Sequence, residues 1–430
     1  MPHEQQPATA PDPNDMRSEL TQAGDQKLIR IVALLDETSQ AAVPEAFLAT
    51  LRTRLNTIRP PRKLRFARLL FAPFDDLIVA PLAWRPGEPT IPRDAIAPVT
   101  AAVRTALGTK VVAIDRMIAG HHTDATRVIT QAGALLWAQA GELLANLPME
   151  PEWSRQAELP AGVYGPLARA IAAVLRRADK LHLLALDADV GVVAPDADRL
   201  QGVLQGLIAE PPEGCTMVIR QLLSCLPDPA LLARMLLATT NSAADKATLR
   251  AALERGVDAY LAGLNEASLL MSRLRHAPLG PLGVQMRRIA GLLQAIEAQP
   301  NAGRHEARLQ TIRASLDTIC RARFIDALRN RLLTALAGLT PEVTQPELEE
   351  CASHLRALEH TGRRIGNRAV YDALLGQANE ALRGAARSGR VSRVSQLRLT
   401  EILFGPDAAD ELYRQAVGPA ATAVQTTPRH

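Results

Sequence analysis

The sequence predicts an all-α, multi-helix array, and three observations carry that expectation. Aromatic residues make up 3% of the 430-residue chain while apolar residues make up 47%, so the core must come mainly from Leu, Ala, Ile and Val. Sandwiches and barrels draw on aromatic and β-branched side chains, which leaves helix packing as the expected architecture. Apolar residues also recur at helical spacing nearly throughout. Finally, the connections are short and rich in Pro, Gly and Asp. The array is either an irregular α-solenoid of antiparallel helix pairs or two stacked helical bundles, with disordered termini. No repeat of fixed length separates these two.

Residues 1–24 hold prolines at 2, 7, 11 and 13 and are expected to form a disordered lead. An N-terminal helical block is expected over 25–147, a C-terminal helical block over 148–417, and a loose tail over 418–430. The first helices fall near 27–38, 44–58 and 62–71. A Pro-rich irregular crossing follows at 73–92, where five prolines leave too few amide donors for a central strand. Helix resumes over 94–119. From Thr123 a stripe of Val128, Ala132, Leu135, Leu136, Ala140, Leu143, Leu144 and Leu147 predicts one helix, stopped by Pro148.

A second Pro-rich crossing, Leu147–Gly165, leads into helices near 163–184, 196–209, 216–225, 228–239 and 243–275. Asp196, placed after Pro195, reads as the cap of its helix. After a short turn at His276–Gly283, helix returns over 282–298. From about Arg304 the stripe Leu309, Ile312, Leu316 and Ile319 drifts onto Phe324, Leu328, Leu332 and Leu336, a helix of about nine turns. Gly338 and Pro341 stop it. Thr344-Gln-Pro-Glu347 matches a capping box opening the next helix, and two more follow near 368–386 and 394–404.

Specific catalytic motifs are missing from the sequence. It contains no GxxxxGK[ST], no strand-borne GxGxxG and no GxSxG, and His305-Glu306 is followed by the wrong residues for HExxH. Asp75-Asp76 resembles a fragment of an aspartate-rich magnesium motif, but Val79 stands where a third carboxylate is needed; a local turn explains the pair. Glu350, Cys351, His354 and Glu359-His360 put potential ligands on one helix without a fourth partner elsewhere. His121-His122-Thr-Asp124 opens the Thr123 helix, where acidic charge suits the helix dipole. Asp187, Asp189, Asp196 and Asp198 flank Gly191 without calcium-loop spacing. No catalytic residue, metal site or cofactor is expected on this basis.

Charge is balanced overall, with 49 basic and 45 acidic residues, but it is unevenly distributed. Seven of the seventeen residues from Arg52 to Arg68 are basic and none is acidic. On a helix, Arg62, Arg65 and Arg68 would share about one third of the circumference. With Arg59 and Lys63 they form the candidate anion-binding residues. A second acid-free stretch holds Arg383, Arg387, Arg390, Arg393 and Arg398, and the two could line one groove. Cys215, Cys225, Cys320 and Cys351 form no CxxC and read as reduced thiols. The N-terminal segment lacks an apolar signal region, and no run supplies the ~20 apolar residues of a membrane helix.

These observations lead to the expectation of a non-enzymatic cytoplasmic helical scaffold or adaptor that binds a partner protein. The alternative is an anion- or nucleic-acid-binding protein using Arg52–Arg68. A helical-bundle enzyme of unknown class is the second alternative. Missing motifs weigh against it without deciding the matter, because a bundle can assemble a site from distant residues.

Overall fold

A computed structural model describes residues 30, 61–74, 76–146, 152–160, 162–189, 196–226, 229–264, 269–298, 302–338, 344–366 and 368–417. The expected lead, the tail, the helix at 44–58 and all of the helix at 27–38 except residue 30 lie outside these residues, as do Arg52, Arg54, Arg59 and Asp75. The described chain is an all-α array. A two-residue parallel pairing of β1 (Ile78–Val79) with β2 (Ile91–Pro92) is the exception, and it lies inside the expected Pro-rich crossing. None of the described helices is long and apolar enough to cross a membrane.

The helix expected at 62–71, here α1, is shorter than expected. It covers Phe66–Leu70, and its cap Arg65 is extended. Residues 62–64 instead run antiparallel to the loop before the Thr123 helix. Leu64 N–H donates to the His121 carbonyl (2.7 Å) and Thr123 N–H to the Arg62 carbonyl (2.8 Å). Lys63 pairs with His122 in an isolated bridge. The helix expected at 94–119 is two, α2 (Ile96–Leu107) and α3 (Lys110–Ile118). Gly108 breaks it by taking a φ of +56°, which only glycine adopts readily.

The next helix, α4 (Thr126–Ala145), keeps most of its expected face. Leu135 departs from that face and is 51% exposed, while Ile129 and Trp137 are buried in its stead. The Trp137 indole donates to the Leu69 carbonyl at 2.9 Å, which ties α4 to α1. A short helix, α5 (Glu152–Gln156), occupies the second crossing.

The expected helix at 163–184 is also divided, into α6 (Tyr164–Leu175) and α7 (Ala178–Asp189). The joint is held by charge. Arg177 donates to Glu210 at 2.7 Å, to the Val203 carbonyl at 2.9 Å and to the Ala173 carbonyl at 3.0 Å. Arg176 also bonds Glu210. Burial alone would raise the Glu210 pKa, but the bonds and charges of the two arginines outweigh it and hold the carboxyl below its ordinary value. The following helix, α8 (Ala197–Leu204), opens on the expected cap: Asp196 accepts from Asp198 and Arg199 N–H at 3.0 and 3.1 Å.

At the centre stands α9 (Pro212–Cys225), with Pro at its first position, where no amide donor is missed. Every residue from Gly214 to Cys225 is buried. A helix buried on all faces is a core element, and this one packs on α6 and on α11 (Ala243–Gly263). The α9–α11 contact is close because Gly256 presents no side chain; a Cβ there would lie 2.7 Å from Ile219 Cγ2. Between them in sequence, α10 (Pro229–Ala238) touches α11, and α12 (Leu269–His276) follows.

The remaining helices form a second packed set: α13 (Leu279–Glu297), α14 (Glu306–Ala327), α15 (Gln345–Ile365), α16 (Arg368–Arg387), α17 (Arg393–Phe404) and α18 (Pro406–Val417). Here α15 packs on α13, α14 and α17, while α7 and α10 touch α13. Apolar side chains from Leu64 to Leu403 therefore share one continuous core. Helix continues past α14 as a π turn, Leu328–Leu333, and ends at Leu336. The whole expected stripe from Leu309 to Leu336 is buried, and the extra residue of a π turn accommodates its drift. Thr344 and Glu347 form the expected capping box.

Candidate functional site

The arginines singled out by sequence do not form a helical stripe. Only Arg68 lies within α1, and its guanidinium turns back to the Lys63 carbonyl. Arg62 is half-buried and its backbone N–H donates to the Thr123 hydroxyl at 3.0 Å, while Lys63 and Arg65 are exposed. Pairing with residues 121–123 instead groups Arg62, Lys63 and Arg65 with His121 and His122, two residues that no sequence pattern joins to them. The second basic stretch belongs to a different packed set, since α1 packs on α2, α3 and α4 whereas α16 and α17 pack on α15. Within it, Arg398 is engaged by Glu401 (2.8 Å) and Glu349 (3.6 Å).

The ligand-like residues of α15 are also separated in role. Glu350 and His354 stand 4.0 Å apart, Cys351 is half-buried, and His360 faces solvent. Glu359 is buried between Arg356 and Arg363, and Arg363 reaches on to Asp372 of α16. Among the described residues, no group of three His, Cys, Asp or Glu side chains could hold a metal ion.

A well-defined concave feature of the described residues lies elsewhere. A cleft of about 990 Å³ opens between the Pro-rich crossing and the central helices. Its roof is residues 76–90. Its floor is one face of α9, with Glu213, Thr216, Met217 and Arg220 at helical spacing. Arg255, Asp258, Ala259, Ala262 and Gly263 of α11 form one wall, and Pro166, Leu167 and Ala170 of α6 the other. The roof loop is braced by its own side chains. Trp84 donates its indole N–H to the Thr90 carbonyl at 3.2 Å, and Arg85 donates to the Leu82 and Trp84 carbonyls, both at 2.9 Å. At its edge Leu82 is 93% exposed.

Arg220 is the unusual member of this lining. It is 3% exposed, in the middle of the wholly buried helix. Its guanidinium lies over the Tyr260 ring, 4.5 Å from the centroid. Among the described residues, its Nε and Nη1 have no hydrogen-bond partner. Burial lowers its pKa, and the phenolic oxygen of Tyr260 and the carboxylate of Asp76 act in the opposite direction. Most acids around the cleft already have partners: Glu213 pairs with Arg169 at 2.8 Å, and Asp258 with His305 (3.5 Å) and Arg304 (3.7 Å). Arg255 donates to the Thr216 hydroxyl at 3.3 Å.

The sequence reading of Asp75-Asp76 as a local turn therefore missed its setting, since Asp76 lines the cleft. One signal was available. Arg220 is the only charged residue between Glu213 and Asp228, inside an otherwise uncharged helical run. A lone charge on a helix buried on every side has to meet a partner, a ring or a ligand. Compared with family models, with curated proteins and with solved structures, the chain matches none.

Proposed function

We propose that the chain is a non-enzymatic helical scaffold that takes a segment of a partner protein into the cleft between residues 76–90 and α9. The observation that carries this reading is the cleft itself. At about 990 Å³ it sits at the upper end of the roughly 300–1,000 Å³ of small-molecule sites. It is walled by apolar and polar side chains together. A reduced, cytoplasmic setting suits the four free cysteines, three of them buried.

Panning random-sequence peptides on the full-length protein tests the reading. Selected peptides are expected to bind wild type and to be lost on Ala259→Trp, which fills the cleft from α11. Binding that ignores this substitution would place the partner surface elsewhere.

A second reading keeps an anion or nucleic-acid partner at the basic stretch, now in different geometry. The pairing of residues 62–64 with 121–123 supports it, by gathering Arg62, Lys63, Arg65, His121 and His122 in one loop cluster. It predicts oligonucleotide binding that weakens steeply with salt and falls when Lys63 and Arg65 are both changed to Ser, measured by fluorescence anisotropy. No binding at low salt rejects it.

A further inference from the structure

Resting on the reading that the cleft receives a partner segment, we infer that it recognises a carboxylate on that segment, held by the Arg220 guanidinium. Arginine is effectively always charged, so burial cannot silence it by removing a proton. Among the described residues its Nε and Nη1 lack acceptors and are enclosed by protein, while Nη2 lies against Gly263 of the cleft wall. A small shift toward the cleft would give the enclosed donors an acceptor, and leaving them unmet is costly. A planar oxyanion satisfies a guanidinium better than a carbonyl, because the bonds are charge-assisted. The Tyr260 ring lies 4.5 Å from the guanidinium carbon, and this cation–π contact restricts the group's motion before a ligand arrives.

The charge of the surroundings selects a monoanion. Four acids (Asp76, Glu88, Glu213, Asp258) and four arginines (Arg85, Arg220, Arg255, Arg308) line the cleft, and Arg220 alone of these cations is buried. The balance leaves one buried positive charge, which a single carboxylate matches and a dianionic phosphate exceeds. Leu167, Ala170, Met217, Ala259 and Ala262 supply apolar contact for the rest of the segment. The partner is therefore a polypeptide with an Asp, Glu or terminal carboxylate next to apolar side chains.

Peptides selected on the full-length protein test this directly. Enriched sequences are expected to carry an acid beside apolar residues. Replacing that acid by its amide isostere is expected to weaken binding roughly tenfold or more, the loss that follows from removing a charged hydrogen-bond partner. On Arg220→Met the acid and its amide should bind alike, which closes a double-mutant cycle. Should Arg220→Met fail to fold, the comparison of acid and amide peptides on wild type decides alone.

Peptides that are lost on Ala259→Trp but tolerate the amide would overturn the carboxylate and leave the cleft reading intact. Tighter binding of a phosphoserine version would overturn the preference for a monoanion. Failure to enrich any peptide, or self-association of the protein abolished by Ala259→Trp, would overturn the cleft reading itself.

Discussion

Two arginines buried in the same core, Arg177 and Arg220, show opposite solutions to one electrostatic problem. Arg177 is 8% exposed and distributes its donors over three carbonyls and Glu210. Arg220, at 3%, rests on an aromatic ring with two donor atoms unmet. The first arrangement is complete within the chain and bolts α6, α7 and the residues after α8 together. The second is complete only when something else arrives. Burial of a charge alone does not mark a site; the difference lies in whether the chain itself satisfies it.

The largest effect that would sharpen this contrast is expected from Arg177→Met. Removing one partner leaves Glu210 buried with Arg176 alone, at a cost of about 3–5 kcal/mol, read from urea denaturation. The same joint governs the acid limb. Because the Glu210 pKa is depressed in the folded state, its contribution is fully present above the unfolded carboxyl value. It is lost as pH falls through the folded one. The stability-pH profile of Arg177→Met should therefore be flatter on the acid side than that of wild type.

Arg220→Met should behave differently. Relief of about 1–3 kcal/mol of unmet donor cost is set against about 0.5–2 kcal/mol of ring stacking. Stability is then expected to hold level or rise by about 1–2 kcal/mol while peptide binding falls. A loss as large as that of Arg177→Met would erase the contrast between the two arginines. The smallest effect is expected at the entry of α8, where Asp196→Ala removes two amide bonds at a cost of about 1 kcal/mol. Thermal denaturation of that variant calibrates a purely local change against the other two.

The helices were legible because their faces must be apolar, and the stripe from Leu309 to Leu336 shows how far periodicity carries. Their interruptions were less so. Gly108 and the Arg176-Arg177 joint sit inside patterns that remain helical on both sides, and what breaks the second is Glu210, over thirty residues away. Leu135 satisfied the spacing, yet Trp137 took the buried place because its indole has an acceptor in α1. The helical stripe of Arg62, Arg65 and Arg68 failed for a similar reason: residues 62–64 find a backbone partner at 121–123, and a long-range pairing overrides local propensity.

The cleft was the least visible feature. Its lining is drawn from the crossing and from five helices spread over much of the chain, with no two adjacent segments carrying a motif. Only the solitary charge of Arg220 within an uncharged run pointed toward it.

The burial of α9 on every side has a consequence for how this protein can change over generations. A floor residue such as Met217 or Thr216 cannot be exchanged to suit a new ligand without disturbing α6 or α11 as well, since the same helix is core to both. The roof is under no such constraint, because Leu82, Arg85 and Glu88 face solvent. Drift in preference is therefore expected to be written in the loop of residues 80–90, while the guanidinium beneath stays as the fixed anchor.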